Sequence, residues 1–213
     1  MKIILQGHQK IFWTSDSHYN HVNLVRTLSS WQEGKGTRDF QTLQEMNDAI
    51  VNGINSVVGE DDILIHLGDW SFGGFDKIEE FRKKINCKNI YLFMGNHDHH
   101  IQNDKDGIRS IFNGVSKLGT LSIRITYGKI TKKLSFECCH HPIASWDGLS
   151  MGRIHLHGHT HLPHDLKINS GRSMDVGADG NNLIPYSLDE ILEIMENQPI
   201  NHLVLPADHH SDF

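Results

Sequence analysis

ILIHLGDWSFGGFDKIEEFRKKI, residues 63–85, separates an α/β reading of this chain from an all-β one. Ile63 to Leu67 is a short apolar run suited to a strand. Gly68 and Asp69 break it into a polar loop, GDWSFGG. From Asp76 to Ile85 the pattern turns helical, with Glu79/Lys83 and Glu80/Lys84 at the spacing that supports a helix face. Strand, polar loop, helix is the repeating unit of α/β folds.

The unit recurs on both sides of this stretch. KIFWTSDSH carries a strand, Ile11 to Thr14, into a polar loop. Between Asp39 and Val58 the apolar residues Phe40, Leu43, Met46, Ile50, Ile54 and Val57 recur at intervals of three and four, which predicts an amphipathic helix stopped near Gly59. NIYLFM, Asn89 to Met94, is another strand, followed by GNHDHH. LSIRITYGKITKKLSFECC alternates apolar and polar residues about Gly128, the sign of a hairpin. Short strands fit IHLH and MDV, and Ser187 to Asn197 reads as a helix with a Ser187/Glu190 capping box. No linker, repeat or low-complexity tract divides the chain, so residues 1–213 are expected to form a single domain.

Composition narrows the class. The chain has 213 residues, 38% hydrophobic and 22% charged, enough to bury a sizeable core. No apolar run reaches the ~18 residues that span a bilayer, and the N-terminal stretch lacks a signal-peptide pattern. The expectation is a cytoplasmic protein without a membrane segment. Three cysteines, Cys87, Cys138 and Cys139, form no zinc pair and no disulfide framework. A formal charge of −6 gives no strong sign of nucleic-acid binding.

Histidine stands out, with 17 in the chain. His8, His202, His209 and His210 lie outside any polar cluster and read as surface residues. The others gather where strands end: SDSH (Asp16, His18), LGDW (Asp69), GNHD (Asn96, His97, Asp98), CHHP (His140, His141), and HLHGHTH (His155, His157, His159, His161). Ligands of α/β sheets collect at the carboxyl ends of strands, where loops converge. One such cluster is an ordinary turn; five in one small domain point to a shared site. Carboxylates, imidazoles and an amide without thiolate suit manganese, iron, zinc or magnesium. A pair of cations needs a carboxylate that touches both.

The order Asp-x-His, Gly-Asp, Gly-Asn-His-Asp, His, Gly-His-x-His, spread over residues 16 to 161, resembles the calcineurin-like metallophosphoesterase superfamily, in particular its small uncapped bacterial or phage-type phosphoesterases. The resemblance implies a four-layer αββα sandwich of two mixed β-sheets flanked by helices, with a dinuclear metal site at the strand ends. It implies two divalent metal ions, manganese first among the candidates. Asp16, His18 and His161 would hold one ion, Asn96, His140 and His159 the other, and Asp69 would bridge. His97 would serve the leaving oxygen, with Asp98 orienting its ring; an imidazole suits that task because its ordinary pKa lies near ~6.5. The implied enzyme hydrolyses a phosphodiester or a small phosphomonoester, a nucleotide among the substrates. A catalytically silent metal-binding interaction protein and a nuclease are the alternatives.

Several residues stay open at this point. Spacing alone does not choose between His140 and His141; the resemblance selects His140. Gly158 would let the backbone approach the cluster, with His155 and His157 as core or supporting histidines. His21 is either a phosphate contact or a surface residue. His99 and His100 are read as solvated, Trp70 and Trp146 as pocket walls or packing, and His164 and Arg153 as weak candidates for substrate contact. GDWSFGG lacks the arginine of the superfamily's serine/threonine phosphatases. Phe72 stands where its purple acid phosphatases carry an iron-binding tyrosine.

Overall fold

The structure, a computed structural model, describes residues 1–31, 36–127, 130–163, 165–166 and 171–201. His164, His202, His209, His210 and the Gly128 turn lie outside the described residues. In chain order the elements are β1 (Lys2–Leu5), β2 (Ile11–Thr14), α1 (Leu43–Val57), β3 (Ile63–His66), α2 (Phe75–Lys84), β4 (Asn89–Phe93), α3 (His99–Asn103), β5 (Gly114–Ser116), β6 (Leu118–Tyr127), β7 (Ile130–Cys139), β8 (Ile154–His157), β9 (Ser173–Asp175), β10 (Tyr186–Ser187) and α4 (Leu188–Glu196). No helix among the described residues is long and apolar enough to cross a membrane.

The strands form two five-stranded mixed sheets, ordered β1-β6-β7-β8-β9 and β10-β2-β3-β4-β5. In the second sheet β2, β3, β4 and β5 run parallel and only β10 is antiparallel. In the first, β6 and β7 pair antiparallel through ten residues, as the alternation about Gly128 requires, while β7, β8 and β9 run parallel. The inward faces meet in a core of Trp13, Ile65, Phe93, Ile123, Phe136 and Leu156. Pleating sends alternate residues of the second sheet outward, so Phe12, Leu64 and Leu92 join Met46, Ile50 and Ile54 of α1 and Phe81 of α2 in a second core.

Local chemistry sets the helix starts. Thr42 caps α1 by accepting from the Glu45 amide while the Glu45 carboxylate accepts from the Thr42 amide. Ser187 and Glu190 close the same box at α4.

The helices α1, α2 and α3 pack on the second sheet, and Ile191 and Met195 of α4 belong to the core between the sheets. The two mixed sheets with their helices form an α/β sandwich, and the outer face of the first sheet is the one turned away from the shared core. The 141–153 loop covers part of that face, with Trp146 donating to the Arg153 carbonyl at 2.8 Å and lying 5.1 Å from the His155 ring. Near β1 and β6 the face is polar and exposed, with Lys2, Arg124 and Lys133. A sheet whose outer face alternates in polar residues can meet water directly.

Candidate metal centre

The loops after β2, β3 and β4 of one sheet and after β7 and β8 of the other meet at one end of the sandwich. They bring Asp16, His18, Asp69, Asn96, His97, His140, His159 and His161 together. Three donor groups that could hold a metal ion result: Asp16, His18 and His161; His140, His141 and His159; and Asp16, Asp69 and His140, which links the first two.

Asp69 stands at the middle. Its Oδ2 lies 3.4 Å from His140 Nε2, 3.6 Å from His18 Nε2 and 4.0 Å from His97 Nε2. Burial alone would raise its pKa, but the His140 hydrogen bond and the neighbouring imidazoles outweigh it and hold the carboxylate low and ionised. Asp16 Oδ1 is buried with no hydrogen-bond partner and lies 3.8 Å from His18 Nε2 and 3.7 Å from His161 Nε2. A buried carboxylate oxygen left without a donor is costly, and burial lifts the Asp16 pKa to about 6. A cation between these donors would remove that cost, so the residues present fit a metal.

The imidazoles are aimed by their second nitrogens. His140 Nδ1–H donates to the Leu67 carbonyl at 2.8 Å, which turns Nε2 toward Asn96 Oδ1 at 3.0 Å and Asp69. Burial opposes protonation of His140, but Asp69 and Asp16 prevail and lift its pKa to about 9. His161 Nδ1–H donates to Asp179 Oδ2 at 2.6 Å, leaving Nε2 for the cluster. Burial pushes the His18 pKa well down, keeping it neutral.

Arg38 secures this arrangement, and neither it nor Asp179 was expected from the sequence. Its Nε and Nη2 donate to the two Asp179 carboxylate oxygens at 2.7 and 2.9 Å. Nη1 and Nη2 also donate to the Ser17 and Asp16 carbonyls at 2.8 and 2.7 Å. One buried guanidinium thus fixes both the Asp16–Ser17 turn and the carboxylate behind His161. His66 was missed too. It accepts the Gly68 amide at Nδ1 and lies 2.8 Å from Ser17 Oγ through Nε2, tying the loops after β2 and β3.

The backbone is bent to bring the donors in. Asp16, His18, Asp69, His159 and His161 all have positive φ, between 48° and 71°, a conformation that costs a non-glycine residue roughly 1–2 kcal/mol. Gly158 fits its expected role: a Cβ there would collide with Ser15 Oγ and Asp16 Oδ2. A Cβ at Gly95 would likewise strike Asp69 Oδ1.

Two expectations change. Asp98 does not orient the His97 ring. Its Oδ2 accepts from the Asp69 and Gly95 amides, both at 2.8 Å, and its Oδ1 accepts from the Trp70 amide at 2.9 Å. The turn after Gly95 faces this carboxylate toward the β3 loop, so it shapes the backbone that carries Asp69. The His97 amide donates to Asp69 Oδ1 at 2.9 Å, and the His97 ring packs 4.9 Å from Phe72. The CHHP ambiguity resolves into two neighbours: His140 stands beside Asp69, and His141 lies 4.3 Å from the His159 ring.

The remaining candidates lie elsewhere. His155 donates from Nδ1 to the Glu137 carbonyl at 3.0 Å and accepts the Ile143 amide, a buried packing role. Trp70 is core, against Phe81 and Phe112. Arg153 pairs with Asp147. His21 stacks on Phe72 at 3.7 Å on the wall of the cleft that opens over the cluster.

Fold and cluster together define a class: a two-sheet α/β sandwich with a mixed imidazole–carboxylate donor set at its strand ends. No family model matches the chain. It is 29% identical over 194 residues to the uncharacterized protein MJ1445 of Methanocaldococcus jannaschii, covering 88% of this chain and 92% of that protein. It also resembles the crystal structure of the Aquifex aeolicus protein of unknown function AQ665, with a TM-score of 0.58, 20% identity, and coverage of 88% of this chain and 100% of the other. That likeness concerns the fold.

Proposed function

We propose that this chain is a dinuclear metal-dependent phosphoesterase that hydrolyses a phosphodiester or a small phosphomonoester, acting in the cytoplasm. The observation that carries the reading is Asp69 Oδ2, one carboxylate oxygen within 4.0 Å of His18, His140 and His97 imidazoles. Asp16, His18 and His161 would hold one divalent ion, His140, His159 and Asn96 the other, and Asp69 would touch both. The nitrogen and oxygen donors favour manganese, with iron, zinc or magnesium as alternatives. Two such ions would supply an activated water and neutralise charge on the phosphoryl oxygens.

The chain's own groups do the rest. His97, with its side chain 42% exposed, faces the cleft. In hydrolysis the water oxygen bonds to phosphorus as the ester P–O bond breaks. The water's proton passes to solvent, and His97 Nε2 delivers its proton to the departing oxygen. Asp98 keeps Asp69 and Gly95 in register through their amides. Asp179 and Arg38 hold His161.

Chelator-treated protein, assayed on bis-(p-nitrophenyl) phosphate and p-nitrophenyl phosphate with each metal added back, tests this reading. Metal-dependent hydrolysis is expected; two bound ions with no turnover on either substrate would favour a silent binding protein. Replacement His97→Ala should lower turnover about 10²–10⁴-fold, the usual contribution of a general acid, with both ions retained in metal analysis. Full turnover would remove His97 from the mechanism.

A further inference from the structure

Resting on the phosphoesterase reading, we propose that the substrate is a short, linear nucleoside phosphodiester, with its base in one cleft and its second arm in another. Two open clefts flank the donor cluster. One, of about 570 Å³, is lined by His18, Asp69, His97, His159 and His161 at its floor and by His21, Trp31 and Phe72 at its wall. The other, of about 380 Å³, is lined by His99, Gln102, Lys117 and His141. Asn96 lines both. A phosphomonoester has one organic substituent and a cyclic mononucleotide folds both ester oxygens into one sugar. A linear diester has two arms that leave phosphorus in different directions.

The clefts differ in chemistry. In the first, His21 and Phe72 stack at 3.7 Å with planes 9° apart, and Trp31 meets His21 edge-on at 5.7 Å. Trp31 is 41% exposed, leaving its ring open to a partner. Aromatic faces beside an amide, Asn23, suit a flat heteroaromatic base. The second cleft sets Lys117, placed to meet a further phosphate, among Met94, Leu118 and Cys139. His97 borders the aromatic cleft, so the ester oxygen it protonates belongs to the base-bearing arm. Among the described residues Lys117 is the one lysine or arginine lining either cleft. An extended nucleic acid needs a row of cations along its backbone, which argues for a short diester.

The test is equilibrium binding to the EDTA-treated full-length chain, where no turnover intrudes. Isothermal titration with adenosine 5′-monophosphate, ribose 5-phosphate and the 5′-phosphorylated dinucleotide pApA reads each arm. Adenosine monophosphate should bind about tenfold more tightly than ribose 5-phosphate, the size of one base–aromatic stack, and Trp31→Ala should erase that difference. The dinucleotide should bind more tightly again, and Lys117→Ala should weaken it several-fold while leaving adenosine monophosphate unchanged. Equal binding of the two monophosphates would overturn the base cleft. A dinucleotide that binds no better than the mononucleotide, or that ignores Lys117→Ala, would overturn the second arm. Base-selective binding without metal-dependent hydrolysis would instead defeat the enzyme reading and leave the cleft assignment standing.

Discussion

Asp16, His18 and His161 form a donor group that is largely buried and held from behind, whereas His140, His141 and His159 form one that is open on two sides. Behind the first lie Arg38, Asp179 and two backbone carbonyls, all within hydrogen-bond distance. Behind the second, His140 has the Leu67 carbonyl, while His141 and His159 are exposed rings that lean on each other. Donors whose orientation is fixed before the ion arrives lose little freedom on binding. Under the proposed reading the braced group would therefore be the tighter site, and the open group the one with room for substrate oxygens.

Substitutions can break that contrast or sharpen it. The largest effect should come from Asp69→Asn, which removes the carboxylate common to both groups. Turnover should fall below detection and metal content should drop at both sites; two ions bound normally would refute the shared position. Next, Asp179→Asn should cost the braced group about 10–100-fold in affinity while the open group keeps its own. Equal loss at both sites in a metal titration would show that the bracing is not selective. Smaller still, His141→Ala, which removes the ring leaning on His159, should weaken the second ion about tenfold or less and leave the first untouched; if the first ion leaves instead, the grouping is wrong.

A pH experiment reads the charge on His140. In the metal-free protein His140 carries a proton up to about pH 9, because Asp69 and Asp16 outweigh its burial. A metal ligand must be neutral at the coordinating nitrogen. Metal uptake at pH 7 should thus release the His140 proton, and the release should vanish above about pH 9, whereas His18, already neutral, should release none. Calorimetry in buffers of different ionisation enthalpy reads this directly. Uptake at pH 7 without proton release would contradict the His140 assignment.

Much of this was written locally. Apolar runs ending in Asp, Asn and His located the strand ends, and three-and-four spacing located α1. Ser187 and Glu190, three residues apart, announced the start of α4. What escaped was non-local or hung on a single turn. Arg38 and Asp179 are 141 residues apart, and each sits in an unremarkable polar loop, so nothing in one chain's order couples them. Asp98 follows His97 directly, which suggested a shared task, but the loop sends its carboxylate to amides of the preceding strand's loop. Lys2, Arg124 and Lys133 alternate with apolar neighbours, which fits a sheet face open to water. The stretch MDVGADGNN, open in the sequence, supplies Asp175 for the Gly177 amide as well as Asp179 for His161.

The donors come from both sheets and from strands scattered along the chain, and this has a consequence for how the molecule is made. His161 follows Asp16 by 145 positions, and its loop must wait for β8 to lie beside β7. A growing chain therefore has no complete donor set until most of it has emerged and both sheets have closed. Such a centre cannot nucleate folding, since the entropy of bringing its loops together is spent before any ion can repay it. If the proposed ions bind, metal content would report that folding has finished, since a nascent chain with half its strands has only loose, competing histidines to offer.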